Sequence, residues 1–213
     1  MPITRERMLK DMHEWEDRIL TNEVYDVIEA NPSPERPRWE DQRYPANGAR
    51  LDSSSGRLAF DFDECGIRFA NNARFSDEPV CFIAQIAHSY KEGSVIYPHI
   101  HWIQESDNVP NVLMQYRWYN NGEAPPAWKE VIGGDTIFPY VQDQLQIQRL
   151  DIDPTDAVGK RISSFVDVRL FRDSANTSGL FSGTDSYPDG WLLKEFDIHI
   201  EMDSNGSSTE LSK

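Results

Sequence analysis

The chain has little cysteine, little basic charge and no long apolar run. Two cysteines occur in 213 residues, Cys65 and Cys81. That is too few for a disulfide scaffold; each sits in a strand-like run, and they read as buried thiols of a protein made in a reducing cytoplasm. Lysine and arginine total 21 against 36 aspartates and glutamates, a net charge of -15. Proteins that hold nucleic acid non-specifically need basic stripes to release counterions, so nucleic acid is not expected as a partner. No apolar stretch reaches membrane length, and the first thirty residues are charged, without the apolar segment of a secretory signal. The sequence also lacks a Gly-x-Ser-x-Gly elbow, a Walker loop and a Gly-x-Gly-x-x-Gly turn, which removes the common hydrolase and nucleotide signatures.

What is present is aromatic. Six Trp, eight Tyr and ten Phe bury enough area to support one sizeable core despite a modest 38% apolar content. Residues 4–30 read as helix: Met8, Met12, Trp15 and Ile19 recur at spacings of four, three and four, one apolar stripe among charged faces. Pro32, Pro34 and Pro37 then make a stiff extended spacer. Residues 1–38 are thus expected to form a helical arm with a linker, and the stripe is the candidate assembly element. From residue 56 the pattern changes to period two. "GRLAFDFD", "PVCFIAQIAHSY", "SVIYPHIHWIQE", "NVLMQYRWYNN", "AWKEVIG", "DQLQIQRLDID", "KRISSFVDVRLFRD" and "WLLKEFDIHIEMD" read as about eight strands, with "SANTSGLFSGTDSYPDG" as a long surface loop. The fold class expected for 39–213 is a mainly β, antiparallel sandwich of jelly-roll type, carrying the N-terminal α-helical arm.

One stretch invites chemistry. On the strand "YPHIHWIQE", His99 and His101 share one face and Ile100 and Trp102 the other. Two imidazoles at i and i+2 can reach one ion. Gly93, His99, His101 and Glu105 also fit the spacing of the first cupin motif, which implies two histidines and the glutamate as metal ligands. The second cupin motif is incomplete: Pro188-Asp189-Gly190 is followed by a histidine only at His199, which shares a strand face with Asp197 and Glu201. A cupin-like metalloenzyme is therefore the alternative reading, and histidines satisfied by neighbouring carboxylates are the preferred one. Asp151 and Asp153 in "LDIDP" are a carboxylate pair, better read as a strand end entering a turn at Pro154. Trp118, Tyr119 and Trp128, with the 174–190 loop, are candidates for stacking on sugars in a carbohydrate- or receptor-binding module.

Several stretches together resemble a family of tailed-bacteriophage virion proteins: "WEDQRYPANGARL" (39–51), "AHSYKEGSVIYPHIHW" (87–102), "VLMQYRWYN" (112–120), "KRISSFVDVRLFRD" (160–173) and "EFDIHIEMDSNGSSTELSK" (195–213). The resemblance implies a non-enzymatic jelly-roll component of a phage particle, a capsid decoration, neck or tail-appendage protein. It implies synthesis in the host cytoplasm, location in the virion, other virion proteins as partners, and several copies, with a trimer expected by analogy. No catalytic residue, cofactor or metal ligand is assigned from it.

Overall fold

The computed structural model describes residues 37–203, apart from 52–55, 76, 78, 135 and 189. The proposed arm with Met8, Met12, Trp15 and Ile19, and the polar tail from residue 204, lie outside the described residues.

Among the described residues, eleven strands form two antiparallel sheets. They are β1 (Arg38–Pro45), β2 (Arg50–Leu51), β3 (Leu58–Asp61), β4 (Gly66–Phe69), β5 (Val80–Gln85), β6 (Tyr97–Gln104), β7 (Val112–Tyr119), β8 (Lys129–Ile132), β9 (Gln144–Arg149), β10 (Phe165–Arg172) and β11 (Trp191–Met202). The first sheet runs β3-β4-β11-β6-β9, with β1 also on β11; the second runs β2-β5-β10-β7-β8. Strands β4 to β11 thus give β4-β11-β6-β9 facing β5-β10-β7-β8, a jelly-roll-like sandwich in which most successive strands cross between sheets. Among the described residues the helical segments are two short 3-10 turns, Ala46–Gly48 and Pro154–Ala157. The second is capped by Asp153, whose carboxylate accepts from the Thr155 amide (2.8 Å) and hydroxyl (2.7 Å). That is the turn expected at Pro154.

Period-two burial builds the core. Val112, Met114, Tyr116 and Trp118 of β7 and Val166, Val168 and Leu170 of β10 face Ile100 and Trp102 of β6 and Phe196, Ile198 and Ile200 of β11. The β11 pattern changes phase once. Leu193 lies opposite Trp102 and Glu195 opposite His101, so Lys194 is an extra residue, a bulge. The bulge lies where the other edge of β11 changes partner from β4 to β1. It lets Trp191 and Leu193 share the core face with Phe196 and Ile198, while Glu195, Asp197 and His199 point outward.

Alternation misleads in three places. In β9 it would bury Leu145 and Ile147; instead Gln146 and Gln148 are buried, opposite Trp102 and Ile100. Their side-chain amides donate to the carbonyls of Pro139 (3.2 Å) and Gly134 (2.8 Å), fastening the β8–β9 connection beside the strand. Phe62 does not extend β3: it is 82% exposed in the turn to β4, where Asp61 accepts from the Glu64 amide (3.1 Å). Nor are both thiols buried. Cys65 is exposed in that same turn at φ 50° and Cys81 is half-buried on β5; both are free.

Candidate functional site

The outer face of the first sheet gathers the polar groups. Register brings Asp41 of β1 beside His199 of β11, and Asp197 of β11 beside His99 of β6, which neighbours Arg149 of β9. The β11 bulge is what puts Asp197 on this face. Asp197 and His99 are buried, although neither belongs to the inter-sheet core.

Asp197 sits between two imidazoles. Its Oδ1 is 2.5 Å from His99 Nε2, and its Oδ2 is 3.1 Å from His101 Nε2. The His101 contact has hydrogen-bond geometry; the shorter one does not, and Oδ1 is buried without an aligned donor. Burial pushes the Asp197 carboxyl up, but the interactions with His101 and His99 outweigh it and hold it below the usual carboxylate range. The ring of His199 meets that of His99 edge-on, centroids 4.2 Å apart, and its Nε2 lies 2.7 Å from Asp41 Oδ1. Burial and the neighbouring His99 lower the His199 pKa, despite Asp41 and Asp197.

Beside this cluster is a cavity of about 300 Å³, lined by Trp39, Tyr97, Pro98, His99, Ile137, Ile147, Arg149 and His199. Trp39 meets Tyr97 edge-on, centroids 5.4 Å apart, and both are partly exposed. Sequence reasoning found the histidines and noted Asp197 on the face of His199. It did not connect Trp39, Asp41, Tyr97 or Arg149 to them, because those residues arrive on other strands.

The cupin ligand set is not assembled. Glu105 takes the Arg68 guanidinium at 3.2 and 3.3 Å, and Arg68 also reaches Asp61 at 3.1 Å. Glu105 stands four residues beyond His101, roughly 13 Å along an extended strand. The carboxylate that joins His99 and His101 is Asp197. The proposed sugar-stacking aromatics are also engaged. Trp118 is in the core, its indole N–H donating to Ser164 Oγ (2.9 Å). Tyr119 donates to Asp167 (3.2 Å), and the Trp128 ring is covered by the guanidiniums of Arg117 (4.5 Å) and Arg169 (4.0 Å).

The 174–190 loop is built inward from the end of β10. Arg172 makes two 3.0 Å bonds to Asp185 and donates to the carbonyls of Ala70 (3.2 Å) and Tyr187 (2.7 Å). Asp173 accepts from the amides of Thr177 (2.8 Å) and Ser178 (2.7 Å) and from the Thr177 hydroxyl (2.7 Å). The Phe-Arg-Asp end of the strand is therefore an anchor for the loop.

No family model matches this chain, and no curated protein matches it. Solved structures similar to it include a xylan-binding module, CBM15, at 14% identity and TM-score 0.35, covering 78% of this chain and 92% of that one. Another is a structure of infectious bursal disease virus, Gx strain, at 13% identity and TM-score 0.35, covering 80% of this chain and 34% of that one. A third is Xylanase10C from Cellvibrio japonicus in complex with xylopentaose, at 13% identity and TM-score 0.33, covering 76% of this chain and 27% of that one. Likenesses this weak assign no function.

Proposed function

We propose that the protein is a non-enzymatic structural component of a tailed-bacteriophage particle, a capsid-decoration, neck or tail-appendage protein that works by association. The observation that supports this reading is the apolar surface at the β8–β9 end. Ile137, Phe138, Tyr140, Val141 and Leu145, with Ile132 at the end of β8, are all exposed. The segment that carries Ile137 and Phe138 lies against β9, because Ile137 N–H donates to the Ile147 carbonyl (2.9 Å) and Gln146 holds Pro139. Large apolar side chains grouped on one surface of a chain with net charge -15 mark a contact surface. The reading takes its partners, other copies of the chain in a trimer and neighbouring virion proteins, from the resemblance of residues 39–213; the N-terminal arm is its second attachment.

The test is the solution mass of the full chain by light scattering, before and after Phe138→Asp and Leu145→Asp together. The expected result is a discrete oligomer that falls to monomer with unchanged far-UV circular dichroism. A wild-type chain that stays monomeric at hundred-micromolar concentration, and is absent by mass spectrometry from purified particles, sinks the proposal.

A further inference from the structure

We infer that His99, His101 and Asp197 form a binding site for one transition-metal ion, of the zinc, iron(II), nickel or copper class. The inference does not depend on the virion reading. One nitrogen from each imidazole and one oxygen of the carboxylate all lie within 4.8 Å of one another. Two of the three side chains are almost fully buried, at 6% and 4% exposure for His99 and Asp197.

The backbone behind His99 can orient its ring for a metal. Its Nδ1 faces the Tyr97 carbonyl at 3.4 Å, and assigning the ring proton there leaves the Nε2 lone pair toward Asp197. A backbone carbonyl behind one ring nitrogen is the usual arrangement that orients the other toward a metal. Across the contact, Asp197 Oδ1 is buried, 2.5 Å away, with no donor aligned on it. An ion held at about 2.0–2.1 Å from both Nε2 and Oδ1 would set them roughly 3 Å apart, so binding has to spread this contact slightly.

The donor set selects the ion. Two imidazoles and one carboxylate suit borderline transition metals, whereas calcium and magnesium take oxygen ligands. Three protein ligands leave at least one coordination position free. His99 also lines the 300 Å³ cavity, with Arg149 and Trp39 at its wall. His199 is held by Asp41 and orients the His99 ring without ligating. Because the ligands come from β6 and β11, the ion would also clamp two neighbouring strands.

The test uses the full chain stripped with chelator and titrated with Zn²⁺ and Co²⁺ by calorimetry. One ion per chain is expected, with a melting temperature that rises with ion concentration. Asp197→Asn and His101→Ala should each weaken binding by roughly 100-fold or more, at least the loss seen for residues that merely orient a ligand. Glu105→Gln should bind as the wild type, which separates this ligand set from the cupin one. Absence of binding tighter than millimolar, or binding that neither variant weakens, overturns the site. Should both variants fail to fold, the wild-type Co²⁺ absorption spectrum decides. Nitrogen-ligated, low-symmetry bands support the site, and an aquo-like octahedral spectrum rejects it.

Discussion

Arg172 shows how much one side chain can hold. It is wholly buried, as is its partner Asp185, and its guanidinium joins the end of β10, the segment after β4 and the 174–190 loop. Such a pair adds little net stability over an apolar isostere, yet breaking it strands a charge away from water. Arg172→Ala is therefore expected to destabilise the fold by about 3–5 kcal/mol in urea denaturation. Arg172→Lys should recover little, because an ammonium cannot reproduce the two parallel bonds to Asp185. The double variant Arg172→Ala, Asp185→Ala should be more stable than Arg172→Ala alone; equal or lower stability would mean the pair is not the origin of the loss.

Among the elements, β11 decides most. It is central in its sheet, pairs with three other strands and carries Asp197 outward and Phe196 inward. Gly66 permits its passage: a Cβ there would meet the Leu193 carbonyl at 2.7 Å and the Leu192 side chain at 2.8 Å. The bulge at Lys194 has a testable corollary. Deleting Lys194 leaves Trp191, Leu193, Phe196, Ile198 and Ile200 in unbroken alternation, so a folded protein with native circular dichroism is expected. Deleting Asp197 instead drives His199 inward and turns Ile198 and Ile200 out, which should abolish folding. If both deletions behave alike in thermal melts, the phase assignment of β11 is wrong.

At the scale of the whole molecule, aromatic burial gives the core its substance and sets its response to alkali. Burial pushes the phenol of Tyr44 up to about 12 and, mainly by the same cause, that of Tyr90 to about 12. An unfolded tyrosine titrates near about 10. The folded value is the higher one, so the stabilisation is complete below pH 10 and is lost as pH rises toward 12. The urea midpoint should fall through that window, with a shallower fall in Tyr90→Phe. A midpoint flat from pH 9 to 11.5 would contradict it.

Much of this protein could be read from local pattern. Alternation located β3 and β5 to β11, but not β1, β2 or β4, and put Ile100 and Trp102 on one face and His99 and His101 on the other, while Pro154 marked a turn. These properties depend on neighbours one or two residues away, and the two-residue period of an extended chain transmits them directly. Tertiary structure decided the rest. Asp197 rather than Glu105 became the carboxylate of the histidine pair because β11 lies beside β6 in the sheet, 96 residues apart in sequence. Leu145 and Ile147 faced outward because β9 is an edge strand whose inner face is filled by Gln146 and Gln148, each held by a carbonyl of the preceding loop. Trp118 went to the core because β7 is flanked by β8 and β10 and covered by the opposite sheet. Strand partnership is set by hydrogen bonds and packing between distant segments, and no two-residue period encodes it.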